Sequence, residues 1–144
     1  MEKINLAAKL SLFSEHWTPK VIAGLNGQHV KLVKARGVFP WHHHEHEDEL
    51  FLVVRGSFRL EWKEPVRDAP RKSARTAGAS RAGRTPFRAR SAVLREGELI
   101  VVPRGVEHRP VAKAEVSLLL FEPASTVNTG SAGGDKTVTR LDWI

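Results

Sequence analysis

Histidines and carboxylates crowd one short stretch of this 144-residue chain. His42 and His44 are separated by one residue and are followed by an acidic run and then by the apolar residues 50–54. Successive side chains of a β-strand point to opposite faces, so these two imidazoles would share one face while His43 points away. Two imidazoles held side by side are half of a transition-metal site. The stretch therefore predicts a strand that binds a metal ion.

Glu49 is a further candidate ligand, although its position does not suit one unbroken strand. It comes five residues after His44, so it would point to the opposite face. A turn or bulge across residues 45–48 would return the carboxylate to the face of the histidines. His46 is the main rival ligand, because it lies four residues after His42 and would point to the same face of a strand. It lies where the chain must turn, however, and this favours a solvated position.

A fourth ligand is available much later in the chain. Residues 97–102 form an apolar strand, which is followed by a Pro-x-Gly turn at Pro103 and by His108. Proline fixes φ and glycine allows the chain to reverse, so the turn is stiff. A ligand presented from a stiff turn is already in place when the ion arrives, which favours binding.

Together the two stretches resemble the two sequence motifs of the cupin superfamily. The first reads His-x-His-x4-Glu-x6-Gly from His42 to Gly56, and the second reads Gly-x5-Pro-x-Gly-x2-His from Gly97 to His108. The resemblance implies an all-β protein, a small cupin jelly-roll β-barrel with one bound metal ion. It also implies a homodimer, since dimers are frequent among single-domain cupins. The metal ligands that it implies are His42, His44, Glu49 and His108.

Three imidazoles and one carboxylate suit a divalent transition metal, and Mn, Fe, Ni, Co and Zn all remain open. Four protein ligands on an octahedral ion leave two positions for water or substrate. We therefore expect a metal-dependent enzyme acting on a small polar molecule, a sugar derivative or an organic acid, of isomerase, dioxygenase or decarboxylase type. The alternative is a non-catalytic cupin module that binds a small molecule or a metal. Catalytic residues beyond the ligands are not identified; the candidates for lining the cavity are Phe39, Trp41, Phe51, Phe58 and Arg59.

The length fits one domain with a substantial hydrophobic core. Residues 1–20 are predicted to form an N-terminal helix and arm, because Leu6, Leu10 and Phe13 have helical spacing and Asn5 can cap. Residues 21–123 should form the barrel. Within the barrel, the Asn-Gly pair at 26–27 predicts a hairpin, and the uniformly apolar Leu50–Val54 predicts a strand covered on both faces. Residues 124–144 should form a tail that docks on the barrel.

One segment carries the basic charge of the protein. The formal net charge is +7, and ten of the 23 Lys and Arg residues lie between Lys63 and Arg95, with two acidic residues. The composition of this segment cannot bury enough surface to offset the entropy of ordering. We predict an inserted, mostly disordered loop at 64–93. It would be either a tether for an anionic partner or a segment without a selected role. Nucleic acid is an unlikely partner because the charge is not interleaved with aromatic residues.

The sequence also excludes several classes of protein. It contains no cysteine, which removes disulfides, thiolate metal sites and cysteine nucleophiles. Apolar runs fall well short of the roughly 20 residues that cross a bilayer. The N-terminus lacks the features of a signal peptide. We expect a cytoplasmic protein that has no membrane partner and binds a small molecule.

Overall fold

The computed structural model describes residues 1–66 and 87–144, in which β-strands dominate and one short helix precedes them. The fold is an all-β jelly roll, as predicted. Its elements are α1 (Leu6–Leu10), β1 (Lys20–Leu25), β2 (Gln28–Val38), β3 (Glu49–Arg55), β4 (Ser57–Pro65), β5 (Phe87–Arg95), β6 (Leu99–Val102), β7 (His108–Pro123) and β8 (Asp142–Trp143).

The long strand β7 organises the sheet. It pairs with β2 along most of its length, while its other edge pairs first with β4 and then with β3. Strands β5 and β6 extend the sheet from β4 and β3, and β1 extends it from β2. The two halves of the sheet enclose one apolar core, to which strands β2 to β7 all contribute. This core holds the strands that carry the candidate ligands in fixed register.

Residue parity decides which side chains enter the barrel. On β3, Glu49, Phe51 and Val53 are buried inside, and the residues between them are half-buried on the outer face. A second cluster covers part of that outer face, built on Phe13 and Ile22. Helix α1 packs against this second cluster through Leu6 and Leu10 and therefore covers the side of the barrel.

Local signals predict two elements well. Asn5 caps α1, since its side-chain oxygen accepts a hydrogen bond from the Ala8 amide at 3.0 Å. Asn26 and Gly27 have φ values of 51° and 74°, and the flanking Leu25 and Gln28 are paired. These values belong to a two-residue hairpin of type I′, which requires positive φ at both central positions.

The predicted loop at 64–93 is wrong at both ends. Strand β4 continues to Pro65, and β5 begins at Phe87 and pairs with β4 residue by residue as far as Arg95. Backbone hydrogen bonds between β4 and β5 form this ribbon, and they do not require apolar side chains at alternate positions. Of the β5 side chains only Leu94 is buried. Residues 67–86, where disorder is also predicted, lie outside the described part of the chain.

The C-terminal residues return to the barrel. Strand β8 runs parallel to β1, and the Ile144 amide donates to the Val21 carbonyl at 3.0 Å. Lys20 forms an ion pair with Asp142 at 2.8 Å across the same junction. Among the described residues, no helix has the length and apolar character needed to span a membrane.

Candidate metal centre

Backbone pairing brings the two sequence motifs together. His42 and His108 form an isolated antiparallel bridge, in which the amide of each residue donates to the carbonyl of the other, at 3.0 and 2.8 Å. The imidazoles of His42 and His44 lie on the same side of the chain, with ring centroids 5.2 Å apart. His43 points away from them, and its Nδ1 lies 2.9 Å from the Ser131 hydroxyl. The predicted alternation of side chains is therefore observed, but the predicted strand is not: residues 42–44 lie outside the strands, and only His42 forms a bridge.

The turn before Glu49 is held by the Pro-x-Gly corner of the second motif. The chain bends at residues 45–46, and β3 begins at Glu49, so the carboxylate returns to the histidine face as predicted. The Arg104 amide donates to the Asp48 carboxylate at 2.8 Å. The Gly105 amide donates to the His44 carbonyl at 2.7 Å. One rigid turn thus fixes both ends of the acidic loop.

All four sequence-predicted ligands meet in one buried cluster. His42, His44, Glu49 and His108 are at most 4% exposed, and one candidate ligand atom from each lies within 4.8 Å of all the others. The Glu49 Oε2 atom lies 3.3 Å from His44 Nε2 and 3.4 Å from His108 Nε2. The rival, His46, is outside the cluster, with 79% of its side chain exposed.

Hydrogen bonds on the far side of two rings set their tautomers. His42 Nδ1 lies 3.0 Å from the Pro40 carbonyl, and His108 Nδ1 lies 2.9 Å from the Val106 carbonyl. A carbonyl oxygen only accepts hydrogen bonds, so each Nδ1 carries the proton. In the neutral rings, the lone pair of each Nε2 is then available to an ion.

The residues fit a divalent metal ion. His44 Nε2, Glu49 Oε2 and His108 Nε2 are buried, and within the described part of the chain none of them has a hydrogen-bond partner. Buried polar atoms without partners are rare and call for an explanation such as an ion. Bonds of roughly 2.0–2.2 Å would place donors up to about 4.4 Å apart, slightly less than the 4.8 Å spread of this cluster.

The charges of the cluster also suit a cation. Burial, together with the nearby His108, lowers the pKa of His42 to about 4. Burial alone would raise the pKa of Glu49, but contact with His108 and His44 lowers it to about 2. Burial alone would lower the pKa of His44, and the Glu49 carboxylate reverses this and raises it. The cluster thus offers an ionised carboxylate and a neutral His42 near pH 7, as metal binding requires.

A narrow cavity of about 30 Å³ opens onto His42 and Glu49. Of the residues expected to line it, Phe39 and Phe51 do so. Trp17 and Asn128 also line it but were not anticipated, because they come from distant parts of the chain and carry no local motif.

The other three residues expected in the cavity lie elsewhere. Phe58 is buried in the core, with its ring centroid 5.9 Å from that of Phe51. Trp41 lies under the cations of Lys63 and Arg109, at 4.9 and 4.8 Å. The third, Arg59, forms an ion pair with Glu61 on β4. Phe58 therefore belongs to the inner core without lining the cavity, and Trp41 and Arg59 contact charged side chains instead.

A second charged pair is buried inside the barrel. Lys31 Nζ donates to Glu122 Oε1 at 2.9 Å, and each side chain is 1% exposed. The other carboxylate oxygen of Glu122 is buried, and residues 1–66 and 87–144 offer it no hydrogen-bond partner. Burial and the charge of Glu49 raise the pKa of Glu122 to about 7, although Lys31 opposes the shift. No motif marks this pair in the sequence.

Comparison with known proteins identifies the family. The family model described as "Cupin" matches residues 13–142, which is most of the chain. The chain belongs to the cupin family.

Several solved structures resemble this cupin. A cupin-2 domain protein from Shewanella frigidimarina is 37% identical, with a TM-score of 0.64 over 83% of this chain and 93% of that one. Protein NMB1881 from Neisseria meningitidis is 30% identical, with a TM-score of 0.61 over 85% and 100%. Hydroquinone 1,2-dioxygenase PnpCD, in complex with Cd²⁺ and 4-hydroxybenzonitrile, is 25% identical, with a TM-score of 0.58 over 80% and 69%.

Proposed function

We propose that this cupin is a metal-dependent enzyme of dioxygenase type, in which His42, His44, Glu49 and His108 hold one divalent transition metal ion. One observation carries the proposal. Among the described residues, three buried ligand atoms within 4.8 Å of one another have no hydrogen-bond partners, and the tautomers of His42 and His108 leave the Nε2 lone pairs available. Leaving such atoms unsatisfied costs stability, and a cation removes that cost.

The cavity favours oxygenase chemistry over the other two candidate reactions. A bound iron ion would supply activation of O₂. The protein would contribute a dry, apolar wall beside His42 and Glu49, and a ligand in the cavity would lie against both residues. Isomerases and decarboxylases move protons through acid or base side chains. Among the described cavity-lining residues, His42 and Glu49 are the only ionisable ones, and both are assigned to the metal.

The relation to hydroquinone 1,2-dioxygenase PnpCD supports the same choice. Iron is the metal that this chemistry calls for among the five that the ligand set allows.

A non-catalytic module that binds a metal or a small molecule is the second candidate. It is favoured by the lack of a general acid or base among the described cavity-lining residues other than the proposed ligands. Uptake of O₂ by the iron-loaded protein in the presence of small apolar hydroxy compounds would distinguish the enzyme from the module.

We also propose that the protein forms a homodimer. The outer face of β6 exposes Leu99 and Val101, which are 57% and 49% accessible, and β6 lies at an edge of the described sheet. Exposed apolar side chains on an edge strand favour pairing with another surface.

Elemental analysis of protein purified without added metal tests the proposed metal centre. We expect about one transition-metal ion per chain in the unmodified protein. His108→Ala should weaken metal binding by at least about tenfold, because one of four buried donors is lost.

His46→Ala is the matched control, since this imidazole is exposed and outside the cluster. The control should keep the metal content of the unmodified protein. Stoichiometric metal in the His108→Ala protein would remove His108 from the site and refute the proposal.

A further inference from the structure

The walls of the cavity beside the candidate metal centre are apolar. Its aromatic side comprises Trp17, Phe39 and Phe51, and the centroids of the Trp17 and Phe39 rings lie 4.9 Å apart. Its aliphatic side includes Leu118 and Leu120, which also belong to the inner core. A ligand that enters this space loses its hydration and contacts apolar side chains on every side except the one formed by His42 and Glu49.

The polar side chains of the lining have already formed hydrogen bonds within the protein. Trp17 Nε1 donates to the Arg36 carbonyl at 2.8 Å. Asn128 Nδ2 donates to the Lys136 carbonyl at 2.8 Å, and its Oδ1 accepts from the Val138 amide at 2.9 Å. Among the described lining residues, the remaining polar side chains are His42 and Glu49.

Recognition in such a cavity depends on how many polar groups the ligand carries. A hydroxyl that reaches the metal centre gains a partner. Each further hydroxyl would be buried against carbon and would lose its hydrogen bonds to water, at a cost of roughly tenfold in affinity or more. A site without polar partners therefore discriminates strongly against polyhydroxylated molecules.

We infer that the ligand of this site is a small, mainly apolar compound with a single oxygen donor directed at His42 and Glu49, and that sugars and polyhydroxy acids are rejected. The inference rests on the proposed metal site and specifies its substrate class. It replaces the polar substrate expected from the sequence. The small volume of the cavity, about 30 Å³, limits the ligand to a small molecule.

Three probes with the same ring size test the inference. Cyclohexanol and phenol carry one hydroxyl, while myo-inositol carries one on every carbon. Isothermal titration calorimetry with the full-length protein, after its metal content has been measured, gives the three affinities. We expect both single-hydroxyl probes to bind at least about tenfold more tightly than myo-inositol.

Two variants of β2 make the test specific to the cavity. Val33→Thr places a hydroxyl in the lining at almost constant volume, and it should weaken the binding of cyclohexanol. Val30→Thr is the same change on the outer face of the same strand, where Val30 packs against the second cluster. This variant should bind cyclohexanol like the unmodified protein.

The outcomes separate this inference from the proposed function. Metal-containing protein that binds myo-inositol as tightly as cyclohexanol would overturn the inference and leave the metal site standing. Metal-containing protein that binds neither single-hydroxyl probe at millimolar concentration would also overturn it. Protein that retains no metal would refute the proposed function instead.

Discussion

Contacts with nearby backbone atoms orient His42 and His108, the two histidines whose tautomers are assigned. His42 and His108 each donate from Nδ1 to the carbonyl of the residue two positions earlier. Each of these two hydrogen bonds therefore lies within a short segment of the chain. Glu49 differs, because its low pKa depends on His44 and His108 across the cluster. Its ionised state belongs to the assembled site.

The buried Lys31–Glu122 pair is the other residue-scale feature with consequences for stability. Both groups lose their hydration, and removing one partner would leave an unpaired buried charge. Such a loss typically costs 3–5 kcal/mol. Protonation of Glu122, whose pKa is raised to about 7, removes the negative charge of this carboxylate from the interior while the side chain stays in place.

The free energy of unfolding should therefore contain a pH-dependent contribution from Glu122. The folded protein holds this proton more tightly than the unfolded chain, where the pKa is near 4.5. The stabilisation is complete below pH 4.5 and is lost as the pH rises through about 7. Between these two pH ranges, the contribution of Glu122 to the free energy of unfolding falls by about 3 kcal/mol. Glu122→Gln should lack it.

Urea unfolding of metal-free protein at pH 5 and pH 8 measures this contribution. His42 titrates in the opposite sense between about pH 6.5 and 4, so the comparison must be the difference between unmodified and Glu122→Gln protein at each pH. A difference that does not change with pH would mean that Glu122 has an ordinary pKa.

Among the larger elements, two loops hold the segment of residues 42–44 from both sides. The corner at Gly105 binds the His44 carbonyl. On the other side, the Ser131 amide donates to the His43 carbonyl at 3.0 Å, and the Ser131 hydroxyl accepts from the His43 amide at 3.2 Å. Gly130 approaches so closely that a Cβ atom there would lie 3.1 Å from His44 Nδ1 and would overlap the His43 carbonyl.

Gly130→Ala should therefore disturb the centre from outside the ligand set. Its φ is +45°, which by itself costs an alanine about 1–2 kcal/mol, and the overlap with His43 should add to this. We expect a lower melting temperature and weaker metal binding.

Gly133→Ala is the control for the backbone conformation. Its φ is +60°, but a Cβ there meets no atom within 4 Å. It should lower the melting temperature modestly and leave metal binding unchanged. Equal metal binding in the two variants would show that the loop does not position His44.

Some elements could be read from the sequence, and others could not. The Asn26-Gly27 hairpin and the Asn5 cap follow from backbone preferences of those residues alone. Strand β5 could not be predicted, because its side chains do not alternate between buried and exposed positions. It is a strand because its backbone pairs with β4. Strand β7 begins at His108, well before the apolar run that starts at Val116.

In the molecule as a whole, the inside of the barrel is filled by the core, but its outer face is covered only in part. The inner core is closed by both halves of the sheet. On the outer face, α1 and the C-terminus cover the region around Leu32 and Val54. Leu99 and Val101 lie beyond this cover and are exposed.

Leu99→Lys combined with Val101→Lys should convert the proposed dimer to a monomer, because two charges would be buried at the interface without partners. Light scattering after size exclusion measures the mass directly. Leu12→Lys, at an equally exposed position near α1, is the control and should remain dimeric. A dimer that persists in the double variant would move the interface elsewhere, and an unmodified protein that is monomeric would end the proposal.

The family, the barrel and the four side chains that meet at the centre could all be predicted from the sequence. Spacing and turn chemistry are properties of short segments, so His42, His44, Glu49 and His108 could be selected without coordinates. The folded protein was needed to show that Trp17 and Asn128 complete the cavity, that Lys31 pairs with Glu122, and that the lining is apolar. These contacts join residues far apart in the chain, and their strength comes from burial, which exists only after the sheet has closed.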